Sequence, residues 1–175
     1  MKKVLTYTAI IGVLLFGFYS INKNFVEEEQ NVVVEEQVAP STIVNIYLVK
    51  YDKRGKPIIV PVKRKVMKQY LFRNTLNALL AGPSENEKKK GVISEIPRRT
   101  QLLNVESYDN MLIINLTQNF EAGGGTESVT TRLSQLAHTV SDMTDMPVYL
   151  YLNGKEVSVL GGDGILVKQP INVIR

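Results

Sequence analysis

The chain has no cysteine and no tryptophan, and its 175 residues include a single histidine. Without cysteine there is no disulfide, no thiolate metal site and no thiol nucleophile. Nor is there a residue to carry the lipid of a bacterial lipoprotein anchor. A lone histidine lacks the orienting partner that a nucleophile–base arrangement needs. The sequence holds no G-x-S-x-G, and its literal S-x-x-K, Ser20-Ile21-Asn22-Lys23, follows an apolar run, the wrong context for that motif. What is present is an ordinary globular composition, 44% hydrophobic and 22% charged, enough for one domain with appendages.

Long uncharged runs are also scarce, which makes Val4 to Ile21 conspicuous. As a helix it would span about 27 Å, close to the roughly 30 Å hydrocarbon core of a bilayer. Lys2 and Lys3 precede it, Glu27, Glu28 and Glu29 follow, and Tyr7 and Tyr19 stand near its ends as interfacial anchors. A cleavable signal peptide is the rival reading, but Gly17-Phe18-Tyr19-Ser20 does not supply an A-x-A-like site. The expectation is an uncleaved single-pass anchor over 1–21, with a cytoplasmic N-terminus and an extracytoplasmic domain. Residues 22–42 are acidic and end near Pro40, so they read as a flexible tether.

The rest, 43–175, alternates strand and helix signals. Val44, Ile46 and Leu48 have the period of two of a strand. Beyond the turn at Asp52–Lys56, Ile58, Val60 and Val62 share a face of a return strand, which Pro57 and Pro61 mark as an edge. Phe72, Leu76, Leu79 and Leu80 form a helical stripe that Gly82-Pro83 ends. Ser84 to Gly91 reads as a charged loop. Leu102 to Val105 and Leu112 to Leu116 flank the turn Tyr108-Asp109-Asn110. Past Gly123-Gly124-Gly125, Val129, Leu133, Leu136, Ala137, Val140 and Met143 make the clearest amphipathic stripe, with Gln135 off it. Val148, Leu150 and Leu152 lead through Asn153-Gly154, a strong hairpin signal, into Val157 and Val159. Gly161 to Gly164 makes a last turn before Ile165 and Leu166. The expected fold is α+β, in the order ββαββαββ, with two amphipathic helices packed on one face of a small mixed sheet.

Five segments in this order resemble the GerM (sporulation and spore germination) domain family: Leu79-Leu80-Ala81-Gly82-Pro83, Ile96 to Leu103, Leu112 to Phe120, Arg132 to Val140, and Tyr149 to Lys155. The resemblance covers about 43–171. It implies a protein of the bacterial cell envelope, in some members active in spore formation and germination. It also implies a fold similar to the ring-building modules of sporulation machinery, hence an interaction or assembly module. Many members are lipoproteins, whereas this chain is expected to use a helix in the plasma membrane. The family supplies no agreed catalytic residues.

The remaining candidate sites are weak. His138 reads as a packing or helix-surface residue. The triple glycine lacks the G-K-[ST] ending of a phosphate loop, and Glu121 and Glu127 flank it with the wrong sign. Gly161-Gly162-Asp163-Gly164 offers one carboxylate, far short of the six to eight oxygens around calcium. Asp142 and Asp145 read as solvent-facing helix-end residues, and Asn115-Leu116-Thr117 reads as strand. No catalytic, metal or cofactor site is expected.

The basic residues carry more information. From Ile43 onward, 18 Lys and Arg stand against 12 Asp and Glu, a net +6. Lys63, Arg64, Lys65 and Lys68 form one cluster, Lys88, Lys89 and Lys90 a second, and Arg98 with Arg99 a third. Charge runs are most often solvated faces. The functional reading is docking to an anionic partner, such as lipid headgroups, a cell-wall polymer or an acidic envelope protein. A homo-oligomer is a further candidate, while nucleic acid does not suit an extracytoplasmic domain. The expected function is a non-catalytic binding or assembly module. The alternative is a peptidoglycan hydrolase or related wall-metabolism enzyme, which convergence of two of Glu95, Glu106, Glu121 and Asp163 in a pocket would favour.

Overall fold

The computed structural model describes residues Pro40–Val173. The expected anchor and nearly all of the expected tether lie outside the described residues. Among those described, no helix is long and apolar enough to cross a membrane.

The chain opens with a long hairpin. β1 (Ser41–Tyr51) pairs antiparallel with β2 (Pro57–Met67) over its full length. Asp52 closes the turn by accepting the N–H groups of Arg54 and Lys56, each at 2.8 Å. Among the described residues β2 pairs with β1 alone, so the donors missing at Pro57 and Pro61 leave no gap in a second ladder. Ile46 and Leu48 are fully buried on one side of β1.

α1 (Leu71–Ala81) buries Leu76 and Leu79, with Phe72 and Leu80 half-buried beside them. It stops where expected, at Gly82, whose φ of 73° suits a residue without a Cβ. The next segment departs from expectation. In place of a charged loop stands a single helical turn, α2 (Glu85–Lys88), nucleated by a capping box. The Ser84 hydroxyl accepts the Glu87 N–H, and the Glu87 carboxylate accepts the Ser84 N–H at 2.7 Å. Ser84-x-x-Glu87 was the readable signal for it.

β3 (Leu102–Tyr108) and β4 (Met111–Leu116) are antiparallel, with a register shift between Leu102 and Asn104. A 3-10 turn at Gln118–Glu121 buries Phe120. α3 (Thr126–Ser141) then crosses to β5 (Val148–Leu152), which lies parallel to β4. Asn153 and Gly154 both take positive φ, as a two-residue hairpin of this kind requires. The return strand β6 (Lys155–Glu156) is only two residues long, and β7 (Val159–Leu160) pairs with β8 (Ile165–Leu166) instead.

The α+β class and the order of the main elements match expectation, but the single sheet does not form. The strands fall into three ladders: β1-β2, β3-β4-β5-β6, and β7-β8. The reason is the second edge of β1, which is occupied by side chains. Thr139 on α3 accepts the Tyr47 N–H at 3.0 Å, and the Gln135 amide donates to the Tyr47 carbonyl at 3.1 Å. Beside them Val49 and Ile93 exchange backbone hydrogen bonds in an isolated bridge. Both long helices consequently pack on the hairpin, and α1 also reaches β3. Buried side chains of the hairpin, the helices and the inner face of the four-stranded sheet share one core.

Candidate functional site: a basic cavity beyond the first helix

The end of α1, α2 and the loop leading to β3 border a solvent-open cavity of about 450 Å³. Leu80, Val92, Ile93 and Ile96 give it an apolar floor, Gly82 and Pro83 form one wall, and Lys88 and Arg98 bring positive charge to it. Members of two of the three basic clusters thus meet at one concavity, together with parts of the Leu79–Pro83 and Ile96–Leu103 segments.

The wall is held by an ion pair that takes Arg64 out of the surface set. Strand alternation exposes Lys63 and Lys65 and turns Arg64 inward, where its side chain is only 21% exposed. Its guanidinium grips Glu87 through two hydrogen bonds of 2.7 Å and reaches the Gly82 carbonyl at 3.2 Å. Planar bidentate pairing of this kind is a role that lysine does not replace. The Arg64 hydrogen bond holds the Glu87 carboxyl down at about 2; the Ser84 contacts assist it and partial burial opposes it. Arg64 therefore braces the α1–α2 junction, whereas the expected cluster counted it as a solvated docking cation.

The other basic residues remain exposed. Lys88 pairs with Glu85 at 2.6 Å, a contact that lowers the Glu85 pKa, with Arg98 adding to the effect. Lys89 and Lys90 stand at the end of α2, Lys68 follows β2, and Arg99 sits on the turn before Thr100. Lys63, Lys65 and Lys68 do not line the cavity.

Residues 45–158 match the family model described as Germane, sporulation and spore germination. The chain belongs to the Germane family. Its fold is similar to that of the tandem GerMN domains of the sporulation protein GerM from Bacillus subtilis, with a TM-score of 0.58 and 18% identity. That match covers 81% of this chain and 49% of the other, so the chain spans about half the length of the tandem structure. The first GerMN domain of the same protein matches with a TM-score of 0.57 and 18% identity, over 73% of this chain and 95% of that one. At such identity the likeness concerns the fold. No curated protein matches the chain.

Elsewhere in the Germane domain the titratable groups are dispersed. His138 is half-buried on α3, its ring 5.4 Å from that of Tyr47. It lines a separate groove of about 710 Å³ between α3 and the C-terminal segment, with Lys168 and Ile171. Glu95 accepts from Tyr51 at 2.8 Å and Ser128 at 2.6 Å, Glu106 from Asn104 and Tyr108, Glu121 from Gln118, and Asp163 from Thr126 at 2.8 Å. The four carboxylates serve different local partners. Among the described residues no group of three or more His, Cys, Asp or Glu is placed to hold a metal ion.

Sequence reasoning missed a polar stripe along α3 that is buried from Arg132 onward. Ser128, Arg132, Gln135 and Thr139 recur at i, i+4, i+7 and i+11, the spacing of one helical face. Arg132 is 2% exposed and donates to the carbonyls of Phe120, Ala122 and Gly123 at 2.8–3.0 Å, and to the Ser128 hydroxyl at 2.9 Å. It ties the glycine-rich loop to the helix, and burial lowers its pKa. A Cβ at Gly124 would lie 2.8 Å from that guanidinium and 2.5 Å from the Ser128 hydroxyl. The triple glycine is thus an arginine-clamped loop.

Proposed function

We propose that this Germane-family chain is a membrane-anchored, non-catalytic docking module of the bacterial cell envelope, acting in sporulation or germination through an anionic partner. One observation carries the reading: Lys88 and Arg98 stand together at a cavity with an apolar floor. A concave, mainly apolar site with a few convergent polar groups is the usual form of a binding pocket. Here the convergent groups are cations, which suits an acidic envelope protein or an anionic wall polymer. The extracytoplasmic orientation rests on the charge pattern around Val4 to Ile21. The rival reading, a wall enzyme acting as a glycosidase, requires two carboxyls facing each other roughly 5–9.5 Å apart. Glu95, Glu106, Glu121 and Asp163 are each tied up locally, which favours docking.

Purified cell-wall sacculi and an envelope extract provide the test. The double variant Lys88→Glu/Arg98→Glu should lower binding of the full chain while its folding is unchanged, since both side chains are exposed. Binding should also weaken with added salt, because exposed charges are screened over about 8 Å at physiological ionic strength. Lys63→Glu/Lys65→Glu/Lys68→Glu measures the contribution of the second basic surface, with Arg64 left in place to preserve the brace. Unchanged binding in both variants, combined with lytic activity that a folded His138→Ala or Glu121→Gln variant loses, would replace docking with the hydrolase.

A further inference from the structure

The outer face of the four-stranded sheet carries another concavity, unrelated to the basic cavity. Pairing in β3-β4-β5-β6 sets Asn104, Asn115, Tyr151 and Glu156 in one row across the strands, and Glu106, Ile113 and Tyr149 in the next. A hollow of about 190 Å³ opens on these rows, lined by Asn104, Glu106, Ile113, Asn115, Tyr151 and Gly154.

The lining is prearranged. The Glu106 carboxylate accepts from the Asn104 amide through one oxygen and from the Tyr108 hydroxyl through the other. Asn115 accepts the Gly154 N–H at 2.9 Å, which fixes its amide and leaves its NH₂ free among the described residues. The hollow therefore presents hydrogen-bond acceptors at Glu106, donors at Asn115, and the ring of Tyr151 beside Ile113. No lysine or arginine lines it.

We propose that this hollow binds a sugar unit of a neutral glycan chain. A sugar hydroxyl both donates and accepts, so it can satisfy the carboxylate and the amide NH₂ together. The carbon–hydrogen face of a pyranose is apolar and packs on a tyrosine ring, whose own hydroxyl stays wet. A lysine or arginine side chain donates only and would leave the Asn115 NH₂ opposed to another donor. An anionic polymer would meet Glu106 and Glu156 with like charge. The mixture of donors, acceptors and one aromatic wall thus selects a neutral polyhydroxylated ligand over either kind of ion.

A soluble oligomer of N-acetylglucosamine serves as the probe, with the full chain kept in a zwitterionic detergent that lacks a sugar headgroup. Binding is read from tyrosine emission, which no tryptophan masks. The expected result is saturable binding that is insensitive to salt and weakened about tenfold by Tyr151→Ala and by the near-isosteric Glu106→Gln, the loss that follows from removing one good contact. Glu106→Gln keeps the test valid if Tyr151→Ala disturbs the sheet, and Lys88→Glu/Arg98→Glu should leave this binding unchanged. Absence of oligosaccharide binding by the folded chain would overturn the proposal, as would binding indifferent to Glu106→Gln. Salt-sensitive binding of oligolysine in its place would make the hollow a site for cationic peptide and overturn it equally.

Discussion

Arg64 and Glu87 show how one pair of side chains can change the meaning of a charge cluster. In the sequence, Arg64 sits among lysines and reads as part of a basic run. In the fold, alternation along β2 turns it toward Glu87, which the capping box has already fixed. This contact has a pH signature. Folding lowers the Glu87 pKa from the usual 4.5 to about 2. A carboxylate with a depressed folded pKa contributes stability above its unfolded value and loses that contribution as pH falls toward the folded one. Urea unfolding followed from pH 5 to pH 2 should therefore show a decline in stability that is smaller in Glu87→Gln. An identical pH profile in the two proteins would mean that the pair contributes nothing. Arg64→Lys should recover little of the brace, because the bidentate geometry is lost.

At the scale of the element, α3 marks both what the sequence made legible and where legibility ended. Hydrophobic periodicity placed the helix and identified Leu136 and Val140 as buried. It could not place Gln135 or Arg132, because a polar side chain on the pattern's margin looks like a solvated one until its partner is known. The partners here lie outside the helix: Tyr47 and Glu95 for Gln135, and the Phe120, Ala122 and Gly123 carbonyls of the preceding loop for Arg132. The same blindness hid the division of the sheet, since the free edge of β1 is closed by Gln135 and Thr139 of this helix. α2 was different, for its capping box was already written in Ser84 and Glu87. The helix yields a direct test. Leu136→Ala should cost about 2–5 kcal/mol, as for other fully buried leucines. Gln135, off the apolar stripe in sequence, reads as a position where alanine costs far less, and the structure overturns that reading. Gln135 is fully buried, and its loss leaves the Glu95 N–H and the Tyr47 carbonyl without their side-chain partner. Each stranded group costs about 1–3 kcal/mol, so the two variants should unfold at similar denaturant concentrations. A nearly neutral Gln135→Ala would mean that water replaces the amide.

For the whole molecule, the proposal joins a folded Germane domain to an N-terminal segment read from sequence alone. The domain offers two chemically different surfaces, a basic cavity at the α1–α2 junction and an acidic, tyrosine-bearing hollow on the open sheet face. They lie on separate elements, so one partner can be changed by mutation without touching the other. Both readings place the domain where wall polymers and envelope proteins are found, which makes topology the decisive property. The positive charge at Lys2 and Lys3, the uncharged run to Ile21 and the acidic residues after it favour the N-terminus in the cytoplasm. A reporter fused after Arg175 should be active only outside the cytoplasm, and the chain should sediment with membranes carrying an intact N-terminus. Recovery of a soluble form beginning near Asn22 would show that the segment is a cleaved signal, leaving the domain exported but unanchored. A reporter active in the cytoplasm would remove both proposed ligand classes from reach and overturn the envelope assignment itself.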